Sequence, residues 1–373
     1  MSAQPGHPFA LVGPVHPHRG GIAQHTTELA RRLDAGGMLT GLATWRSQGP
    51  AFMSPRGRYR FAEEHDAPGS RCLLDWRRPG SWIRAGSLLS RRADRLLFVV
   101  SDPFQLPALA TVARTFRRGR RSTLSEVSII VHNVLPHSRR RGDVMAARAV
   151  MRVADRVIVH SEQEAALATL LGADATVRAR LPFHYPMPDD HGDLDGRPTT
   201  VHRHLVFFGT VRPYKGLDVL LRALAQTRSR PSLTVIGEFW EPVNAYVRRA
   251  EDLGVEDLVT IVDRFATPAE VAETLRAADA VVLPYRSASG SQMPRVAFAH
   301  GVPVIASEVA DFSEQVRDGV DGLLVPPGDI ERLATAIDSL YAEGGAVTLR
   351  RSVARPDADA EWSEYLVSLE ADG

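Results

Sequence analysis

The sequence is poor in cysteine and in long apolar segments, and both shortages exclude classes of protein. Among 373 residues Cys72 is the only cysteine, so the chain forms no internal disulfide and no cysteine cluster that binds metal. No apolar run approaches the ~20 residues that a helix needs to cross a bilayer. The apolar run at residues 9–13 is too short for a signal peptide and has no cleavage site after it. We therefore expect a cytoplasmic globular protein.

Lysine is almost absent as well. Lys215 is the only lysine, and the other basic residues are all arginine. It lies in the segment Gly209-Thr-Val-Arg-Pro-Tyr-Lys-Gly216, directly after the apolar run 205–208. A glycine turn that ends a strand, carries Arg212 and Lys215 and then opens a helix is well suited to binding phosphate. The alternative is that Lys215 is a chance survivor on a solvated surface.

Charge is divided unequally between the two halves of the chain. Residues 1–185 carry 27 arginines and 14 acidic residues, a net charge of +13, whereas residues 186–373 carry 18 basic and 30 acidic residues, a net charge of −12. We therefore expect the two halves to contact different partners.

Apolar runs alternate with helical patterns in both halves. The first half has candidate strands at 9–13, 39–44, 96–100, 127–131 and 156–159 and a helix over 22–35; the second has strands at 205–209, 233–237, 259–262, 280–284 and 302–306 and a helix over 217–225. Continuous apolar runs of this length are typical of parallel strands covered on both faces. We predict two doubly wound, Rossmann-like α/β domains, over residues 1–185 and 204–355, joined by a linker at 186–203.

Several polar or glycine-rich segments follow the predicted strands, where ligands bind in open parallel sheets. Gly20 and Gly21 precede the first helix and leave free N–H groups there, although a plain turn would look the same. His132 follows the strand at 127–131 and could bond a sugar hydroxyl or move a proton, and His160 is placed similarly. A structural histidine is the alternative at both positions.

A serine- and glycine-rich segment follows the strand at 280–284. Ser289, Gly290 and Ser291 could present donors to a diphosphate at a helix start, although a serine-rich cap is the alternative. The aspartate pairs Asp193/Asp195 and Asp357/Asp359 lie in polar connectors, where we do not expect metal.

In order along the chain, these segments resemble the retaining family 4, or group 1, glycosyltransferases of the GT-B fold. The N-terminal part of the likeness is Gly13-Pro-Val-His-Pro-His-Arg-Gly-Gly-Ile-Ala-Gln-His-Thr, followed by His132-Asn-Val-Leu-Pro-His and Val159-His-Ser-Glu. The C-terminal part is Phe207-Phe-Gly-Thr-Val-Arg-Pro-Tyr-Lys-Gly, then Gly301-Val-Pro-Val-Ile-Ala-Ser and Gly319-Val-Asp-Gly-Leu-Leu-Val-Pro-Pro-Gly-Asp.

The resemblance implies a metal-independent transfer from a nucleotide-sugar donor, with no other cofactor. The donor would bind the second domain and a hydroxyl acceptor the first, which would also receive the last helix, residues 356–373. The implied roles are diphosphate neutralisation by Arg212 and Lys215, closure near the donor by Gly20 and Gly21, and a place near the transferred sugar for His132. Further donor contacts would come from Arg264 and Phe265 at the base and from Ser289, Gly290, Ser291 and Gln292.

One departure from the family pattern concerns two glutamates eight positions apart that hold the donor sugar and ribose. Ala288 and Val296 stand at the aligned positions, within Ser287-Ala-Ser-Gly-Ser-Gln292 and the helix after it. A catalytically weak nucleotide-sugar-binding subunit is therefore an alternative function. A GT-B epimerase or phosphorylase is a third, which the motif order disfavours.

The basic first half suggests an anionic partner. Arginines crowd residues 114–121 and 139–141, and residues 75–84 interleave Trp76, Trp82 and Ile83 with arginine. This pattern is typical of peripheral contact with an anionic membrane, or of an anionic, lipid-linked acceptor. The alternative is a solvated arginine-rich surface with the tryptophans in the core. We expect no nucleic acid, because the acidic half would oppose wrapping.

Overall fold

The computed structural model describes residues 8–48, 69–101, 105–119, 126–135, 142–187, 200–288, 291–309, 312–342 and 344–370. The chain separates into two compact units. Unit 1 comprises Met1–Tyr185 with Ala358–Gly373, and unit 2 comprises Pro186–Asp357. Most of the predicted linker, the arginines 139–141 and the pair Asp193/Asp195 lie outside the described residues.

Unit 1 is built on a parallel sheet with the strand order β3-β2-β1-β4-β5-β6-β7 in its described residues. The strands are β1 Phe9–Val12, β2 Leu39–Ser47, β3 Ser70–Asp75, β4 Arg95–Val100, β5 Glu126–Val131, β6 Arg156–Val159 and β7 Thr176–Arg178. The five strands that apolar runs predict are confirmed, with ends that differ by up to three residues. β3 and β7 are additional strands at the two edges of the sheet.

Helices cover both faces of this sheet, because alternate strand residues point to opposite sides. Val12 and Phe98 lie in one buried cluster, whereas their neighbours Leu11 and Leu97 lie in the other. The helices of the unit are α1 Gly21–Ala35, α2 Pro79–Leu89, α3 Leu106–Gly119, α4 Asp143–Met151, α5 Glu162–Leu170 and, from the end of the chain, α13 Ala358–Glu370.

The last helix, α13, packs on unit 1. Its Trp362, Tyr365 and Leu369 are buried in the cluster that contains Leu11, whereas Leu366 is only partly buried. Arg156 donates to the carbonyls of Leu369 and Ser368 at 3.2 and 3.1 Å. Cationic donors satisfy the last carbonyls of a helix and interact favourably with the negative end of its dipole. Contacts with the sheet therefore stabilise both the buried face of α13 and its C-terminus.

Unit 2 is built on a second parallel sheet, ordered β10-β9-β8-β11-β12-β13 in its described residues. Its strands are β8 His204–Phe208, β9 Ser232–Ile236, β10 Val259–Val262, β11 Ala280–Leu283, β12 Val304–Ser307 and β13 Gly322–Val325, of which all but β13 are predicted by apolar runs. Its helices are α6 Leu217–Leu224, α7 Val243–Asp252, α8 Pro268–Arg276, α9 Met293–Ala299, α10 Phe312–Gln315, α11 Ile330–Leu340 and α12 Gly345–Ser352. Thr267 and Glu270 form a capping box at the start of α8.

Strand order reverses beside the first strand of each sheet. β1 lies between β2 and β4, and β8 lies between β9 and β11. In open parallel sheets this reversal leaves a crevice at the carboxyl ends of the strands, where ligands bind. The loop with Gly20 and Gly21 follows β1, and the turn with Arg212 and Lys215 follows β8. Each unit therefore places one predicted segment at its own crevice.

Candidate functional site

The turn after β8 depends on glycine at both ends. Gly209 has φ +98°, and Gly216, where the turn enters α6, has φ +70°. A Cβ on Gly216 would lie 2.0 Å from the carbonyl oxygen of Pro284. Between them Pro213–Lys215 form one 3-10 turn. Because only glycine accepts these conformations and this close approach, the backbone of the turn is held against the end of β11.

Lys215 is buried in unit 2 rather than exposed on a solvated surface. Its side chain is 9% exposed, and its ammonium nitrogen is 5.0 Å from the ring centroid of Tyr285. A Cβ added to Gly209 would lie 3.5 Å from that nitrogen and 3.6 Å from the sulfur of Met293. The surface interpretation of this lysine is therefore wrong. Gly209, at the start of the turn after β8, and Tyr285, two residues past the end of β11, therefore both lie near its ammonium group.

Arg212 precedes Lys215 by three residues and has an extended backbone. Its guanidinium carbon lies 3.8 Å from the ring centroid of Trp240, which is 39% exposed. The two cations of the turn thus have different surroundings, since Lys215 is buried beside Tyr285 while Arg212 stacks on an exposed tryptophan.

Arg286 holds the turn after β8 in place through hydrogen bonds. Its guanidinium donates to the Pro213 carbonyl at 2.9 Å and to both carboxylate oxygens of Asp218 at 2.7 and 2.6 Å, and its backbone N–H donates to Tyr214 at 2.7 Å. Burial opposes ionisation of Asp218, but the Arg286 guanidinium outweighs it and lowers the pKa of that carboxyl. Sequence reasoning missed Arg286, whose only sequence signal is its position three residues past the end of β11.

The start of α9 lies beside this turn. Gln292 occupies the N-cap position of α9 and is 7% exposed, and its amide oxygen accepts from the buried Arg295 at 3.4 Å. Ser291 accepts from the Met293 N–H through its hydroxyl and from Gln315 through its carbonyl. The predicted Ser289 and Gly290 lie outside the described residues.

The remaining positions of unit 2 separate into two groups. Val296 is buried in α9 at 4% exposure and Ala288 is partly buried, so both are apolar where the family pattern has glutamate. Arg264 pairs with Glu270 of α8 at 2.5 Å, and Phe265 beside it is 42% exposed.

The glycine loop of unit 1 opens α1. Gly20 caps the helix with φ +111°, which other residues rarely adopt. A Cβ on Gly21 would lie 3.4 Å from the Tyr185 hydroxyl and 3.9 Å from Nε2 of His184. Gly21 therefore lets the helix start approach the segment that follows β7.

Four histidines gather beneath this loop, and we call them the histidine cluster: His25, His132, His160 and His184. The ring centroid of His132 lies 4.9 Å from that of His25 and 4.8 Å from that of His160, and His25 lies 5.4 Å from His184. His25 is fully buried and stacks on Trp362 of α13. Sequence reasoning missed His25, because a histidine at position five of a helix carries no signal of its own.

Three members of the histidine cluster, His25, His132 and His160, are neutral at pH 7. Burial lowers the pKa of His25 and of His132 well below the ordinary value, and neighbouring imidazoles lower it further. Burial also lowers the pKa of His160 to about 4. The Nδ1 atoms of His160 and His184 lie 3.0 and 2.9 Å from carbonyl oxygens, which only accept, so these nitrogens carry the protons. Nε2 of His132 is buried with no hydrogen-bond partner among the described residues.

The aromatic residues of the basic segment 75–84 pack mainly inward. Trp76 and Trp82 pack against the core of unit 1, and the Trp82 indole donates to the Asp75 carbonyl at 2.9 Å. Ile83 is 53% exposed. These contacts favour the core interpretation of the tryptophans. Across the part of the chain that the structure describes, no helix combines the length and apolar character needed to cross a bilayer.

Chemically, the turn after β8 in unit 2 carries two cations, Arg212 and Lys215, and the histidine cluster of unit 1 contains the neutral imidazoles of His25, His132 and His160. No group of three or more His, Cys, Asp or Glu side chains among the described residues is arranged to hold a metal ion. Asp359 of the pair Asp357/Asp359 instead accepts from Arg32 at 2.6 Å.

Comparison with known proteins gives consistent matches. A family model described as glycosyl transferases group 1 matches residues 202–343. A D-inositol 3-phosphate glycosyltransferase 1 of Catenulispora acidiphila is 30% identical over 282 residues, which are 70% of this chain and 67% of that protein. A D-inositol 3-phosphate glycosyltransferase of Frankia alni is 38% identical over 186 residues, 46% of this chain and 41% of that protein. The chain spans about half the length of most of these curated relatives.

Solved structures agree with the predicted fold. Anabaena HepE in complex with UDP and glucose has a TM-score of 0.70 at 17% identity, over 98% of this chain and 99% of that one. Sucrose-phosphate synthase from Thermosynechococcus elongatus has a TM-score of 0.66 at 19% identity, over 97% of each chain. At these identities the likeness concerns the fold, and the predicted GT-B fold is confirmed.

Proposed function

The chain belongs to the group 1 glycosyltransferases, and on that basis we propose that it transfers a sugar from a nucleoside diphosphate sugar to a hydroxyl acceptor, with retention of configuration. The observation that carries the proposal is the turn after β8. Arg212 and the buried Lys215 lie there at the carboxyl end of a parallel sheet, between two glycines whose positive φ angles fix the path of the turn. This arrangement suits the diphosphate of a donor. Unit 2 is accordingly the donor-binding domain.

Arg212 and Lys215 would act on the leaving group. As the glycosidic bond breaks, negative charge accumulates on the departing diphosphate, and cations already in place stabilise it without reorganisation. Arg286 would keep the turn in this geometry through Asp218 and the Pro213 carbonyl. Since side chains supply this positive charge, we propose that transfer requires no metal. Gln292 and Ser291, at the start of α9, would bond the donor sugar or ribose where the family glutamates are missing.

Unit 1 would bind the acceptor. Gly20 and Gly21 would offer backbone N–H groups, and His132 would bond a hydroxyl as a neutral imidazole because its surroundings disfavour the charged form. The matched relatives are D-inositol 3-phosphate glycosyltransferases, and the +13 charge of residues 1–185 would suit an acceptor of that kind, a phosphorylated polyol. A lipid-linked anionic acceptor with peripheral membrane contact is the second form of this proposal.

A different function is favoured by one observation. Val296 is an apolar residue buried in α9, and Ala288 has no polar side-chain atom, so neither can replace a glutamate that holds sugar and ribose hydroxyls. A protein that keeps Arg212 and Lys215 in the turn after β8 but transfers sugar slowly would be a nucleotide-sugar-binding subunit.

Nucleotide release separates the two functions. UDP-, GDP- and ADP-linked glucose would be supplied with and without inositol 3-phosphate, and the released nucleoside diphosphate measured. Release that depends on the acceptor, with an α-linked product from an α-linked donor, supports a retaining transferase. Nucleoside diphosphate binding without acceptor-dependent release supports the binding subunit. Absence of both binding and release refutes the proposed donor site.

A further inference from the structure

Trp240 lies beside the turn after β8 because the segments that follow β8 and β9 remain paired after these strands end. Gly209 and Gly237 leave β8 and β9 together, and a Cβ on Gly237 would lie 1.8 Å from the Gly209 carbonyl oxygen. Val211 then donates to Glu238 at 2.8 Å, and Trp240 donates back to Val211 at 3.0 Å. This backbone pairing places residue 240 next to residue 212.

The orientation of Trp240 is also set by the residue before it. Phe239 is 3% exposed, packs on Tyr246 with ring centroids 5.4 Å apart, and donates its N–H to Asp263 at 3.2 Å. In an extended segment successive side chains point to opposite sides, so burial of Phe239 directs Trp240 outward. The indole is consequently 39% exposed and lies against the Arg212 guanidinium at 3.8 Å.

Stacking of this kind uses only the face of the guanidinium. All five N–H donors of arginine lie in the plane of the group and point outward from its edge. A ring on one face therefore restricts rotation of the group without using the donors that would bond an anion. Restricting a side chain before binding reduces the entropy that is lost on binding.

We propose that Trp240 is a positioning residue for the diphosphate, which acts by holding the Arg212 guanidinium in its binding orientation. This inference rests on the proposed function, in which Arg212 binds the donor diphosphate.

Titration calorimetry with UDP, GDP, ADP and inorganic pyrophosphate tests the proposal. Trp240→Ala should weaken binding of the preferred nucleotide about 5-fold, within a range of about 2- to 30-fold set by cation–π interactions. Pyrophosphate has no base or sugar, and its binding should be weakened by the same factor. Trp240→Phe keeps a stacking ring and should bind within about 2-fold of the wild type. Val320→Ala, at a position of unit 2 that is 40% exposed, is the matched control and should bind normally.

A double-mutant cycle establishes whether Trp240 acts through Arg212. Arg212→Ala should weaken binding, and Trp240→Ala should then add nothing in that background. An equal loss in both backgrounds would overturn the proposal, as would a loss for UDP that is absent for pyrophosphate, since Trp240 would then contact the nucleoside directly. Unchanged affinity in Trp240→Ala would overturn this inference alone. A wild-type protein that binds neither nucleoside diphosphate nor pyrophosphate would overturn the proposed function and this inference with it.

Discussion

Replacement of Lys215 tests the donor site most directly. Lys215 is 9% exposed and its ammonium group lies between Gly209 and the ring of Tyr285, so its interaction with a diphosphate would be only weakly screened by water. Hydrogen bonds to charged groups contribute about 1.5–3 kcal/mol. Lys215→Ala should therefore weaken nucleoside diphosphate binding by about 10- to 150-fold.

Two further variants separate charge from shape. Lys215→Met keeps a long apolar stem and loses the charge, so it should lose nearly as much affinity as Lys215→Ala. Lys215→Arg keeps the charge but is expected to be impaired, because a planar fork is wider than an ammonium group and the existing nitrogen already lies 3.5 Å from the Cβ position of Gly209.

The assay is calorimetric titration with UDP, GDP and ADP, accompanied by nucleotide release from the matching sugar donors. Thermal unfolding of each variant provides the control for folding. The reasoning would be refuted if Lys215→Met, folded as well as the wild type, retained full affinity and turnover. Loss of affinity in Lys215→Ala alone would show that the stem matters and the charge does not.

Three further predictions concern metal, pH and membranes. Turnover should persist in EDTA, because Arg212 and Lys215 supply the positive charge; complete loss that magnesium or manganese restores would contradict this. The free energy of unfolding, measured by denaturant titration, should fall as pH decreases from about 6.5 to 4.5, because the pKa values of His25, His132 and His160 are lower in the folded state than in the unfolded chain, which therefore binds protons first. The dependence of this free energy on pH should be weaker in His25→Phe, and a wild-type free energy that does not change with pH would contradict the prediction. If the acceptor is lipid-linked, the protein should sediment with anionic vesicles more than with neutral ones, and less at high salt, since each surface cation near such a membrane contributes about 1 kcal/mol of attraction. Equal and negligible sedimentation with both kinds of vesicle would contradict membrane contact and favour a soluble acceptor.

Much of the fold is predictable from local pattern. Buried parallel strands must be apolar along their whole length, so β1, β4, β5 and β8 stand out as runs of valine, leucine, isoleucine and phenylalanine. The edge strands β3, β7 and β13 do not, because they are short or polar and owe their strand geometry to hydrogen bonds with a neighbour. The capping box at Thr267 was predictable because both of its partners lie within four residues.

The sequence by itself determined which side chains follow the strands, and thus that Arg212 and Lys215 share one turn. Which other groups meet that turn was decided by tertiary structure. Trp240 lies 28 residues after Arg212, and Arg286 lies 71 residues after Lys215. Both reach the turn because β9 and β11 pair in parallel on either side of β8. The same holds for His25, which meets His132 and His160 only after α1 packs across the sheet. Parallel pairing brings together the ends of strands that are far apart in the chain, and the register that selects the touching residues belongs to the packed sheet rather than to any one segment.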